Sequence, residues 1–232
     1  MMLFFKERSK EMEWMDDLSM EGETLRQTLQ QIARVNQLLG GIHVVCNGLN
    51  QIIQQNKQKK EWVICDYGCG GGEIARAICD FCRKKGFRCK IYAIDANSYT
   101  IDYARALSLN YPEIEFRVAD VFNSEEIQAD ISTASLFLHH FSEEEIQVLI
   151  KKWMSNSTYV LVNDLQRSKI AYFLFYLVCK IVGASPMVQN DGLISIKKGF
   201  IKKELQKIFS KEYHYQMTWR WAFRYEIILQ KR

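Results

Sequence analysis

The chain has 232 residues, 48% of them apolar and 25% charged, with 2 prolines and 12 glycines. A chain this long buries about 70% of its unfolded surface, so its core needs no disulfide or metal staple, and the composition excludes collagen-like, mucin-like and linker-rich classes. A net charge of +4, from 31 basic and 27 acidic residues, is too small and too mixed to imply nucleic acid.

In chain order, Met1–Phe5 is apolar but charge begins at Lys6, so no signal peptide is expected. Acidic residues predominate over residues 1–25 and basic ones over 195–232. Both ends read as solvated helix faces. Residues 1–60 carry no strand signal and are expected to form a helical N-terminal cap. Leu25, Leu29, Ile32, Val35 and Leu39 recur every three or four positions, an amphipathic helix over 24–39 that Gly40-Gly41 stops. A second helix is expected over 43–55, and the polar residues up to Lys60 read as a connector.

From Glu61 the pattern changes. Short apolar runs at 62–65, 90–94, 114–118, 131–136 and 159–162 read as strands. Helical stretches at 73–85, 100–110 and 143–153 separate most of them, the last opened by Ser142 with Glu145 as a capping box. Alternation of this kind argues for a parallel sheet. Lys202–Phe209 reads as a helix, and 213–219 with 222–229 as an antiparallel hairpin. The expected fold is α/β: a Rossmann-like, doubly wound, seven-stranded and mostly parallel sheet with a C-terminal antiparallel hairpin. The main domain covers 61–232, with a helical insertion about 165–195. The apolar run from Ile170 to Gly183 is too short to span a bilayer. It reads as a buried helix, a roof over an apolar pocket, or a transient membrane contact. Trp219-Arg220-Trp221 and Arg224 read as hairpin packing with exposed charge, and His43 and His214 as structural or surface residues.

Seven cysteines, several inside apolar runs, suit reduced thiols and a cytoplasmic protein. Cys79 and Cys82 have C-x-x-C spacing, but no second pair completes a zinc site. No metal is expected.

The densest chemistry is Asp66-Tyr67-Gly68-Cys69-Gly70-Gly71-Gly72-Glu73, between a strand and a helix. Glycines there let the backbone turn sharply and approach a ligand closely. Asp95 ends the next strand, where a carboxylate can accept from both hydroxyls of a ribose. Asp120 ends the third and can reach an exocyclic amine. The spacing is G-x-G-x-G after an Asp, not the G-x-G-x-x-G of a pyrophosphate site. Asp66 and Glu73 beside the helix start suit a cationic ligand end better than a diphosphate.

This motif set resembles the class I S-adenosylmethionine-dependent methyltransferases over about residues 60–232. The resemblance implies S-adenosylmethionine as cofactor and S-adenosylhomocysteine as product. It implies that Asp66 and the turn of Gly68, Cys69, Gly70 and Gly72 hold the methionine moiety. Asp95 with Ala96 would hold the ribose, Asp120 with Val121 would frame the adenine, and Leu136 would lie beside the cofactor. Leu138-His139-His140 resembles the strand-four segment of small-molecule methyltransferases. Asn163-Asp164-Leu165, Asp191-Gly192 and Gly199-Phe200 are similar to bacterial enzymes of polyketide, phenolic-lipid or quinone biosynthesis. The implied acceptor is then an apolar small molecule, methylated on oxygen or carbon. His139 and His140 are the candidates for a base or for acceptor positioning; alternatively they only pack the loop before Ser142. Three other readings stay open: a non-catalytic cofactor-binding partner protein, a nucleic-acid methyltransferase, and a nicotinamide-dependent oxidoreductase.

Overall fold

A computed structural model describes residues 5–209 and 213–231; residues 1–4, which carry most of the apolar Met1–Phe5 stretch, 210–212 and 232 lie outside the described residues. In chain order the elements are α1 (Gly22–Leu38), α2 (Gly41–Gln55), β1 (Glu61–Tyr67), α3 (Glu73–Lys85), β2 (Arg88–Asp95), α4 (Ser98–Leu107), β3 (Ile114–Val118) and β4 (Ala129–Ser135). They continue with α5 (Glu143–Asn156), β5 (Ser157–Leu165), α6 (Lys169–Val182), α7 (Pro186–Lys198), α8 (Lys202–Phe209), β6 (Tyr213–Arg220) and β7 (Arg224–Lys231).

The seven strands form one sheet in the order β3-β2-β1-β4-β5-β7-β6. Strands β1 to β5 run parallel, and the β6–β7 hairpin joins antiparallel beside β5. This is the expected fold class. Strand order reverses between β1 and β4, and ligands of such sheets bind outside the carboxyl ends at that point.

Burial on both faces explains the continuous apolar strands. In β1, Ile64 packs into one layer with Leu49, Ile52 and Ile78. Its neighbour Cys65 packs into the other with Trp153, Val160 and Phe209. The α5 start is the expected capping box: Ser142 Oγ accepts from Glu145 N at 3.2 Å, and Glu145 Oε2 accepts from Ser142 N at 2.8 Å.

The N-terminal expectation needs correction. Between Lys6 and Gly22 the described residues hold one short 3-10 helix, Trp14–Asp16, with extended or irregular chain around it. The backbone there is engaged by distant groups as well as by its own short turns. Asp191 of α7 accepts from Trp14 N at 2.9 Å and Met15 N at 3.1 Å. Asn97 donates to the carbonyls of Leu18 and Met20 at 3.1 and 2.9 Å. Residues 5–21 thus form a strap across the carboxyl edge of the sheet, running from α7 to the start of α4.

Between β5 and α8 the chain makes two helices. α7, which falls largely within the expected helical insertion but has no helix period of its own in the sequence, buries Met187, Val188, Asp191, Ile194, Ile196 and Lys198, positions on more than one face. At Gly192 it passes so close to α6 that a Cβ would overlap the Phe175 ring.

Candidate functional site

β1 delivers the chain to the crevice at Asp66, and the turn that follows has Gly68 at φ 67° and Gly70 at φ 50°. L side chains rarely adopt these angles. At Gly68 any Cβ would also overlap the Phe137 ring, whereas at Gly70 it would meet nothing within 4 Å. The turn therefore presents bare backbone to open space. Asp66 is 1% exposed and its Oδ2 has no hydrogen-bond partner. Burial, with Glu73 and Asp95 close by, pushes its carboxyl well above the usual range. A cation brought beside it would favour the ionised form that burial alone opposes.

Asp95 Oδ2 accepts from Gly70 N and Oδ1 from Asn97 N, both at 3.0 Å. This locks the β2 end to the glycine turn and leaves further lone pairs on each oxygen. Burial raises this carboxyl as well, against the pull of those N–H groups. Asp120 is exposed and accepts from Phe122 N and Asn123 Nδ2, both at 3.0 Å. Leu136, at the end of β4, has φ 55° and its N–H donates to the Asn163 carbonyl at 2.8 Å.

Among the sequence candidates, Asp66, Gly68, Cys69, Gly70, Asp95 and Ala96 line one cavity of about 1200 Å³. Asp120, Val121, Leu136, His139 and His140 line it too. Gly72 does not; it starts α3, and a Cβ there would press on the Phe116 ring at 3.0 Å. A single-ligand pocket is usually about 300–1,000 Å³, so there is room for two ligands.

The histidines sit in a 3-10 turn, Leu138–His140, across the cavity from α1. His139 is 3% exposed, and its Nδ1 lies 2.7 Å from Oδ1 of the fully buried Asp164 on β5. Burial opposes ionisation of Asp164, yet the facing His139 and the Leu165 N–H hold its carboxyl below the usual value. An ionised carboxylate only accepts, so His139 Nδ1 donates to Asp164 and Nε2 is the ring nitrogen turned to the strap. The strap supplies what faces that nitrogen. Glu13, 7% exposed, places Oε1 at 3.8 Å from His139 Nε2 and 3.9 Å from His140 Nδ1. Asp16 Oδ1 lies 2.8 Å from His140 Nδ1. Burial raises the Glu13 carboxyl; it opposes ionisation at Asp16 too, but hydrogen bonds from His140 and Lys198 hold that carboxyl down.

Lys198 Nζ reaches Asp16 Oδ2 at 3.0 Å and Glu13 Oε1 at 3.4 Å. The charged ends of the chain are therefore not solvated faces in these places: they meet here, buried. Arg8 ties the strap down, donating to the carbonyls of Lys198 and His139 at 2.8 and 2.7 Å.

Arg224 also departs from expectation. It is 2% exposed rather than a surface charge, and its Nε and Nη1 have no partners. Burial lowers its guanidinium to about 10. It lines the same cavity from the first residue of β7. Apolar side chains of α1 and α6, including Leu25, Leu29, Leu174 and Phe175, close the remaining wall. The outer face of α6 leaves Ile170, Phe173 and Ile181 exposed. Among the described residues no helix is long and apolar enough to cross a membrane.

Glu13, Asp16, Lys198 and Arg224 escaped the sequence reading because each is one charge in a charged neighbourhood. No local pattern marks which charge turns inward.

Residues 64–156 match the family model of a methyltransferase domain. Among solved structures, human N-acetylserotonin methyltransferase in complex with S-adenosylmethionine is 16% identical with a TM-score of 0.63, over 89% of this chain and 55% of that one. A plantazolicin methyltransferase in complex with S-adenosylhomocysteine is 13% identical with a TM-score of 0.66, over 90% and 94%. Magnesium protoporphyrin IX methyltransferase from Synechocystis, with bound S-adenosylhomocysteine, is 14% identical with a TM-score of 0.53, over 89% and 83%. The chain thus spans about half the length of the human enzyme and most of the other two. No curated protein sequence matches it. At these identities the likeness establishes the fold, which is that of the class I methyltransferases, as the motif resemblance implied.

Proposed function

We propose that the chain transfers a methyl group from S-adenosylmethionine to an oxygen or carbon of an apolar small molecule. The observation that carries this reading is the buried, unpartnered Asp66 carboxylate at the head of a bare glycine turn. The cofactor brings the cation that this carboxylate lacks. In this reading Asp66 and the turn meet the methionine moiety, and Asp95 with Ala96 receives the ribose hydroxyls. Asp120 and Val121 frame the adenine, with Leu136 alongside.

Methyl transfer is an in-line displacement: the S–C bond breaks, the sulfur keeps its electron pair, and the acceptor forms the new bond to carbon. Holding the two reactants aligned contributes up to roughly 7–11 kcal/mol. The second part of the cavity suits the acceptor. Its apolar wall from α1 and α6 fits a hydrophobic body, and the unpaired Arg224 guanidinium fits an oxygen carrying negative charge. His139, oriented by Asp164, and His140 meet the acceptor between these walls. The outward face of α6, with Ile170, Phe173 and Ile181 exposed between Lys169 and Lys180, suits transient contact with a membrane surface that carries such an acceptor.

Calorimetric titration with S-adenosylhomocysteine, with NADH in parallel, tests the reading. Binding of the first alone is the expected result. Binding of NADH alone overturns it. Turnover is then sought with phenolic and quinone-type acceptors, and cofactor binding without any turnover would favour a non-catalytic partner protein.

A further inference from the structure

Glu13 Oε1, His139 Nε2 and His140 Nδ1 are all buried without a well-aligned hydrogen bond, and their charged neighbours are Asp16 Oδ1, 2.8 Å from His140 Nδ1, and Lys198 Nζ, 3.4 Å from Glu13 Oε1. The three atoms come from places 126 residues apart in the chain and lie within 4.8 Å of one another. Two imidazoles and a carboxylate rarely converge in a buried place without a ligand, since a buried polar atom left unmet costs about 1–3 kcal/mol. Among the described residues no other group of His, Cys, Asp and Glu is so arranged.

We propose that Glu13, His139 and His140 bind a divalent transition cation of the zinc class, with one coordination position open to the cavity. A cation central to the three atoms lies roughly 2.2–2.5 Å from each, a few tenths of an ångström beyond zinc bonds to imidazole and carboxylate. Small side-chain adjustments close that gap. Two imidazoles and one carboxylate select zinc or iron(II) over magnesium, which takes oxygen donors. Three protein ligands and an open position are the pattern of a reactive site, not of a structural one.

The surroundings fit. Asp164 holds His139 Nδ1 at 2.7 Å, the carboxylate–histidine arrangement that fixes a metal-binding imidazole. Asp16 Oδ1, 2.8 Å from His140 Nδ1, stands ready as a further oxygen donor. Lys198 contacts Asp16 through the opposite oxygen, Oδ2, and at 3.4 Å from Glu13 Oε1 it only partly offsets that charge. All three residues line the cavity, so an open position would be offered to the acceptor, whose oxygen the cation would polarise as a Lewis acid. That role rests on the proposed methyl transfer; cation binding does not.

The test uses the full chain stripped of metal with a chelator, titrated with zinc(II) by calorimetry and with cobalt(II) by visible absorption. Binding of S-adenosylhomocysteine is measured on the same samples. One equivalent of zinc is expected, with a cobalt spectrum free of sulfur charge transfer. Glu13→Gln keeps the shape of the side chain and is expected to weaken binding at least about tenfold, as is His139→Ala; Asp164→Asn, which disturbs the orienting carboxylate, weakens it by about 10–100-fold. Thermal unfolding confirms that each variant is folded, and the near-isosteric Glu13→Gln decides if His139→Ala is not. The rival thiols, with Cys89 Sγ 4.0 Å from Cys79 Sγ, are removed by Cys79→Ser and Cys82→Ser, which leave zinc affinity unchanged. Absence of saturable binding overturns the proposal. So does binding that is indifferent to Glu13→Gln, or lost in the cysteine variants. Cofactor binding without zinc binding sinks the metal site alone; zinc binding without cofactor binding sinks the methyltransferase reading alone.

Discussion

The two sides of the cavity are assembled differently. The glycine-turn side draws on residues 66 to 136, the ends of β1 to β4, and its surface is largely backbone held by neighbouring strands. The opposite side draws on Glu13, Asp16, His139, Asp164, Lys198 and Arg224, from the strap, the 3-10 turn after β4, the ends of β5 and β7, and α7. The first side gathers three acidic side chains, Asp66, Glu73 and Asp95, whose ionisation burial opposes. The second mixes both signs and buries them together. Backbone-built sites on strand ends are rigid because the sheet's hydrogen bonds define them. A site of buried side chains is only as well formed as the packing around each chain segment.

Substitutions can break this contrast. Gly68→Val combines a disallowed φ with overlap on the Phe137 ring, and about 3 kcal/mol or more of stability should disappear in urea unfolding. An unchanged midpoint would mean that the turn takes another path. Arg224→Met removes a buried charge with unpartnered nitrogens, so the protein should unfold at the same or higher denaturant, by up to about 1–4 kcal/mol. Acceptor methylation should fall while cofactor affinity holds. A large loss of stability would show that Arg224 supports the fold and not a ligand.

Asp95→Ala should weaken S-adenosylhomocysteine by about 1.5–3 kcal/mol, the worth of a charge-assisted hydrogen bond, with little change in the acceptor side. Equal affinity would remove Asp95 from the site. Asp66 gives a pH signature. Its folded carboxyl is raised by burial and by Glu73 and Asp95, so ionising it disfavours the folded chain as pH rises through that raised value, and a bound cation offsets the penalty. Between the ordinary carboxylate value and the raised one, S-adenosylhomocysteine affinity should climb by up to about tenfold per pH unit, or about 1.4 kcal/mol. A flat profile, or an identical one in Asp66→Asn, would dismiss the linkage. Smallest of all, Ser142→Ala deletes the α5 capping box at about 1 kcal/mol and should leave ligand binding untouched.

Legibility in the sequence follows the same division. The helix at Glu73–Lys85 has its observed bounds because Gly72 and Gly86 flank it in left-handed conformation. Strand Ile114–Val118 and helix Lys202–Phe209 also coincide with their sequence patterns. The acidic run around Glu13 reads as a solvated helix start, yet its backbone donates to Asp191 and its carboxylate faces two histidines. Within the expected helical insertion the bounds of α7 are not legible, because burial on several sides erases the polar face that periodicity needs.

The amino-acid order by itself determined the sheet class, the glycine turn and the acidic strand ends, because these depend on neighbours within a few positions: apolar period, φ tolerance and capping. Only the tertiary structure decided which of many ordinary charges lie inside. Burial of Glu13, Lys198 and Arg224 depends on segments brought together from opposite ends of the chain. Desolvation acts on the environment that results, which no local pattern encodes.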